Sequence, residues 1–271
     1  MQFALVNNTR TPPSPGLKGS CPVCGGMVDA RCGDQRIHHW AHRGKRTCDR
    51  WWESETPWHR GWKNLFPALW QEVIQHDLTG EKHIADVRTE HGLTIEFQHS
   101  HLRPEERSAR EVFYGNMLWV VDGSRLIRDL PRFVEGFRGF RMIKQGWYLT
   151  PFPDEAFPKN WLDSTVPVFF DFGEAVGGSE QDVRLTDPLW CLLPGRASGQ
   201  AVVIAFSKAD FVRMAQSTAQ PIQPQGILEY LARVLAEERR TAQNIDLLAA
   251  MALRQRQGWP RHRDWTRRTR F

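Results

Sequence analysis

Residues 83 to 100, HIADVRTEHGLTIEFQHS, alternate apolar and polar side chains on both sides of a Glu90-His91-Gly92 turn. That alternation is the period of a β-strand, so the segment predicts an antiparallel hairpin with one face toward a core. Leu93, Ile95 and Phe97 share one face, while Thr94, Glu96, Gln98 and Ser100 share the other. A three-residue turn pairs Val87 with Ile95 and sets Asp86 opposite Glu96, with Cβ atoms roughly 5 Å apart. A two-residue turn would instead put Asp86 opposite Phe97, on the apolar face, so the pattern favours the register that joins the carboxylates. Facing like charges repel unless a cation or a shared proton compensates them. Mg²⁺ suits such a pair, because it takes few carboxylates and keeps waters, which leaves room for a phosphate oxygen and an attacking water. The same alternation also fits an ordinary hairpin whose polar side faces solvent.

The neighbouring segments bear on that choice. Glu55, His59 and Lys63 recur every four residues, a polar helical stripe able to complete a metal site or contact phosphate, or simply to face water. Trp58, Trp62 and Phe66 form the adjoining core stripe; the spacing extends to Trp70, with Pro67 expected to break or kink the helix before it restarts. A helix over 104–116 opens at Pro104 and aligns Arg103, Arg107 and Arg110 as a basic face, suited to phosphate or to solvent, with Tyr114 beyond. The apolar strand MLWVV follows and ends at a DGS turn, giving the order α-β-β-α-β. WYLTP, VPVFFDF and AVVIAF, between 140 and 215, read as extra strands or a β-rich extension. An amphipathic helix through Ile227, Leu228, Leu231, Val234 and Leu235 leads into an arginine-rich tail. There Arg261, Arg263, Arg267 and Arg268 interleave with tryptophans, a composition for phosphate contact and base stacking, or for a solvated tail.

Four of the five cysteines lie between 21 and 48. Cys21-Pro-Val-Cys24-Gly-Gly has the form of a zinc knuckle, and His42 with Cys48 is the preferred second pair; His39 and Cys32 are the substitutes. A closed four-ligand Zn²⁺ site would be structural. A redox Cys-x-x-Cys is the rival, weakened because no helical pattern follows the pair. Cys191, in LWCLLPG, reads as a core thiol. The expected organisation is a zinc-finger-like module over 1–50, a core with its β-rich extension over 51–215, and a helix with its basic tail over 216–271.

No apolar run in the 271 residues reaches the roughly 18 needed to cross a bilayer. The amino terminus lacks a secretory pattern, so a cytoplasmic, reducing location is expected, and a net charge of +5 favours an acidic partner such as nucleic acid.

The ordered series CPVCGG, HHWAH, Cys48-Asp49, ETPWHRGWK, KHIADV and IEFQHS, within residues 20 to 125, resembles the competence protein CoiA-like nucleases of the PD-(D/E)XK superfamily. The resemblance implies an α/β fold with a restriction-endonuclease-like mixed sheet flanked by helices, and Mg²⁺ or Mn²⁺ bound by Asp86 and Glu96. It also implies DNA as the substrate, in bacterial DNA processing such as competence, recombination or phage defence, with a protein partner in such a complex. The superfamily places a lysine two residues after the acid, where this chain has Gln98. E-x-Q also belongs to the CoiA-like pattern. Glutamine can orient water but brings no charge, and Lys63 or His59 could replace it. The alternative is a non-catalytic DNA-binding accessory protein with a degenerate nuclease site.

Overall fold

The computed structural model describes residues 1–44, 48–173 and 185–257, with side chains to residue 253. It divides into two compact units, Met1–Gln225 and Gly226–Phe271. The first unit holds two sheets, and the second holds most of one long helix.

The amino-terminal sheet is antiparallel, built from β1 (Ala4–Val6), β2 (Thr9–Thr11), β3 (Lys18–Ser20), β4 (Met27–Arg31) and β5 (His39–His42) in the order β2-β1-β3-β4-β5. Its core gathers Met1, Ala4, Cys21, Val23, Val28 and Trp40, and Ile74 and Ile84 of the larger sheet pack against it. The expected boundary near residue 50 therefore falls between two sheets that share apolar contacts.

The larger sheet has nine strands in the order β10-β11-β14-β13-β12-β9-β8-β7-β6. Its first part is α1 (Pro57–Lys63), β6 (Gln71–His76), β7 (Lys82–Arg88), β8 (Thr94–Gln98), α2 (Pro104–Tyr114) and β9 (Met117–Asp122). After α3 (Asp129–Phe137) come β10 (Arg141–Lys144), β11 (Trp147–Thr150), β12 (Val168–Asp171), β13 (Leu189–Leu192), β14 (Ala201–Phe206) and α4 (Lys208–Ser217). Strand β9 runs parallel to both β8 and β12, and the remaining pairs are antiparallel. The protein is thus a mixed α/β fold with a large mixed sheet flanked by helices. The supposed β-rich extension is half of that sheet, and LWCL, read only as the setting of a core thiol, is its strand β13.

Helix α1 begins where Thr56 Oγ1 accepts the His59 N–H and Pro57 occupies the first turn. Its expected continuation past Pro67 does not occur. A single turn at Ala68–Trp70 leads instead into β6, so the observed order is α-β-β-β-α-β. The short β-branched run Val73-Ile74 gains more from pairing with Ala85 and Ile84 on β7 than from a further helical turn.

The hairpin has the three-residue turn and the register Val87 with Ile95. Its polar side does not face solvent. β8 lies between β7 and β9 and is buried along its whole length, with Glu96 and Gln98 4% and 2% exposed. On one side Phe97 stacks on Trp62 and meets Phe66. On the other, Arg110 of α2 reaches Glu96.

The second unit carries α5 (Pro224–Gln257), whose Ile245, Leu247, Leu248, Met251 and Leu253 are exposed. The tail arginines Arg261, Arg263, Arg267 and Arg268 lie outside the described residues. No helix among the described residues is long and apolar enough to cross a membrane.

Candidate functional site

Strands β7 and β8 pair at Val87–Ile95 and Arg88–Thr94 and then part. Beyond that point two carboxylates replace the ladder. The Asp86 N–H donates to Glu96 Oε1 at 3.1 Å, and the Phe97 N–H donates to Asp86 Oδ2 at 3.0 Å. The parted strands open a small cavity of about 60 Å³, lined by Asp86 and Glu96 and by Asp49, Glu55, His59, Lys63, Glu72 and Arg110. That volume admits a few waters or a partly hydrated ion, so a polymer would have to meet the site from its open side.

Helix α1 supplies His59 and Lys63. His59 Nε2 lies 2.8 Å from Asp86 Oδ2, but the contact is not aligned as a hydrogen bond, and both buried ring nitrogens remain without hydrogen-bond partners. Lys63, one turn on, is buried and holds Glu55 at 2.8 Å and Glu72 at 3.1 Å. Glu55 precedes the helix and is also gripped by Arg60, with contacts of 2.8 and 2.6 Å. The stripe predicted from four-residue spacing thus converges on the hairpin acids. Its members largely neutralise one another.

Burial works against the Asp86 carboxylate, yet His59 and then Lys63 hold its pKa below the ordinary range. Glu96 moves the other way. Burial, with the Asp86 charge behind it, pushes Glu96 up to about 8, against the pull of the Arg110 guanidinium 3.1 Å away. Ionising both carboxylates at once is therefore disfavoured, and Glu96 is the member that burial drives toward its neutral form. Glu55 and Glu72 both resist burial and stay ionised, Glu55 through its Arg60 hydrogen bonds and Lys63, and Glu72 chiefly through Lys63.

Gln98 is engaged elsewhere. Its Nε2 donates to Glu53 Oε2 at 3.1 Å, Ser100 O at 3.2 Å and Ser100 Oγ at 3.1 Å. It is buried, and its hydrogen bonds go to neither Asp86 nor Glu96. The arginines of α2 also differ from a basic surface. Arg103 is exposed at the helix start, Arg107 is buried against Asp163 at 3.0 Å, and Arg110 is buried against Glu96, Glu106 and the Trp51 carbonyl. Arg110 answers the buried Glu96 carboxylate, whereas Asp163, the partner of Arg107, is itself exposed.

Several members of the site escaped the sequence reading. Glu72 sits opposite Asp86 on β6 with φ 48°, a backbone position that no spacing rule predicts. Asp49 accepts the Trp51 and Ile84 N–H groups and contacts His83 Nδ1 at 2.9 Å. Asp49 and His83 stand within the Cys48-Asp49 and KHIADV motifs, the one signal that could have paired them, whereas Glu72 lies in no motif.

A second cluster lies where the turn between β3 and β4 meets the end of β5. Cys21 and Cys24 are held by a tight turn in which the Gly25 N–H donates to Cys21 O at 2.9 Å and Gly25 adopts φ 72°. One ligand atom from each of Cys21, Cys24, His42 and Cys48 lies within 4.8 Å of all the others. Cys21 Sγ to Cys48 Sγ is 3.9 Å, Cys24 Sγ to His42 Nε2 is 3.4 Å, and Cys48 Sγ to that nitrogen is 3.6 Å. A tetrahedron with Zn–S near 2.3 Å and Zn–N near 2.0 Å has edges of about 3.8 and 3.5 Å. The Cys₃His group could therefore hold a structural metal such as zinc. His39 instead contacts the Ile37 carbonyl at 2.9 Å, and Cys32 stands outside the group. Burial raises the Cys21 thiol to about 11, an environment in which a bound cation is the natural means of deprotonation. Cys191 is fully buried in β13, and burial alone pushes its thiol far up.

Comparison with protein-family models, with curated proteins and with solved structures finds no match to this chain.

Proposed function

We propose that the protein is a metal-dependent nuclease that hydrolyses phosphodiester bonds in DNA, in bacterial DNA processing. The observation that carries this reading is the convergence of Asp86 and Glu96 in one buried cavity with His59 and Lys63 against them. Oxygen donors, two carboxylates and space for waters are the requirements of Mg²⁺ or Mn²⁺, so the residues present fit that ion. Held there, it would supply a Lewis acid and a water of lowered pKa. Asp86 and Glu96 would be the ligands. His59, with an unpartnered Nδ1, is the group placed to orient or accept a proton from water, the role the sequence assigned to Gln98. Lys63, braced by Glu55 and Glu72, holds positive charge beside Asp86. The Cys₃His group carries Zn²⁺ and stiffens the amino-terminal sheet, and the reading places the chain in the cytoplasm with DNA and a protein partner.

The test is incubation of the purified chain with single-stranded, double-stranded and branched DNA, and with RNA, in Mg²⁺ or Mn²⁺, alongside Asp86→Ala and Glu96→Ala. Metal-dependent cutting lost in both variants supports the assignment and identifies the substrate.

The second reading, a non-catalytic DNA-binding accessory protein, draws on a specific observation. Gln98 is committed to Glu53 and Ser100, and His59, Lys63 and Arg110 already compensate the acids. Binding without cutting, unaltered by either substitution, would select it.

A further inference from the structure

A second cleft, of about 250 Å³, opens beside the first, past the carboxyl ends of β8 and β9 and at the start of α3. Ligands of open α/β sheets favour that end of parallel strands. Four cationic side chains, Arg125, Arg128, Arg132 and Lys159, line this cleft together with His99 and His101. Its two carboxylates are already engaged. Asp122 contacts His99 Nδ1 at 2.7 Å and accepts from Ser124 N at 2.9 Å and Ser124 Oγ at 2.6 Å. Asp129 accepts from Arg132 Nη2 at 2.9 Å. Among the described residues, Arg125, Arg128 and Lys159 have no carboxylate partner, and the buried Nε of Arg132 has no hydrogen-bond partner.. Asp122 also fixes the His99 ring by one nitrogen, which leaves Nε2 for a ligand.

The two cavities share a partition. Glu53 lines the first, Gln98 and Ser100 line the second, and both of the latter hydrogen-bond to Glu53 Oε2. Glu96 and Gln98 are two residues apart on one strand, so the cleft begins about 7 Å from the acid pair.

We propose that this cleft binds a backbone phosphate of a DNA strand lying across the Asp86–Glu96 cavity, clamped by Arg125 and Arg128 with Arg132, Lys159 and His99. Guanidiniums without carboxylate partners suit a phosphate's fork of oxygens, and the cleft has room for a phosphodiester unit. The identity of the ligand rests on the nucleic-acid reading above; the anion site rests on the cleft alone.

The experiment is fluorescence anisotropy of a short labelled single-stranded DNA with the full chain in EDTA, across a salt series, for the wild type, Arg125→Ala/Arg128→Ala and an Arg138→Ala control. Both substituted cleft arginines are exposed, and thermal unfolding checks that the variant folds. The double variant is expected to lose about tenfold in affinity and to flatten the salt slope by about 0.7, the value for one phosphate contact on a single strand. Inorganic phosphate should compete with the strand on the wild type. Affinity and slope equal to the control would overturn the proposal, as would wild type that binds phosphate but no strand. Because nothing is cut in EDTA, the two readings fail separately. Arginine-dependent binding by a chain that cuts in no metal leaves the cleft standing and removes the nuclease, and cutting with arginine-independent binding does the reverse.

Discussion

Lys63 Nζ lies 3.1 Å from Glu72 Oε1, and that carboxylate also accepts the N–H groups of Gln2 at 2.7 Å and Phe3 at 3.1 Å. One largely buried acid thus ties α1, β6 and the residues that lead into β1 together. Glu72→Ala should destabilise the protein by about 2 kcal/mol, because it removes one of the two carboxylates that hold Lys63 and leaves the Gln2 and Phe3 N–H groups without their acceptor. Denaturant unfolding of Glu72→Ala, Lys63→Met and the double variant checks this, because the double variant should cost less than the sum. Strict additivity would mean that the two side chains act independently.

His59 rather than Gln98 should carry the water-directed step. His59→Gln is expected to lower cutting by about 10² or more at unchanged DNA affinity, while Gln98→Ala lowers it less than that. Single-turnover rates with Mg²⁺ report both. A larger loss at Gln98 would return the role to the position where the superfamily has its lysine.

Glu96 makes stability depend on pH in a definite direction. Its folded pKa, about 8, lies above the ordinary carboxylate value, so the folded chain holds a proton that the unfolded chain releases. Its stabilising effect is complete below the unfolded pKa and is lost as pH rises through the folded value. Without divalent metal, stability should fall between about pH 4.5 and 8 by up to on the order of 5 kcal/mol from this group. Glu96→Gln should flatten that part of the profile in thermal unfolding across buffers. An unchanged profile would show that Arg110 keeps Glu96 ionised.

The purified chain should hold about one zinc per molecule, as expected for a closed four-ligand site. Cys24→Ser or His42→Ala should lose it, whereas Cys32→Ser should keep it. Elemental analysis with thermal unfolding reads both effects, and zinc retained in Cys24→Ser would sink the ligand set.

The hairpin shows how far local pattern reaches. Alternation and turn length predict the Val87–Ile95 register and bring Asp86 to Glu96, because both are properties of neighbouring residues. The Cys-x-x-Cys turn and the four-residue interval of His59 and Lys63 are legible for the same reason. Burial was not. Glu96 and Gln98 look like a solvent face until β9 pairs with β8 and α2 covers it, and Arg107 and Arg110 look like a phosphate face until Glu96 and Asp163 claim them.

The sequence by itself determined the residue types, their order and the local geometry of hairpin, helix start and cysteine turn, through side-chain periodicity and turn chemistry. Tertiary structure alone decided which of those groups lie together in one cavity. It turned Gln98 toward Glu53, recruited Glu72 from a strand where a helix was expected, and set the charge of Glu96. Those outcomes depend on contacts between residues far apart in the chain, where desolvation and opposing charge outweigh any preference legible along it.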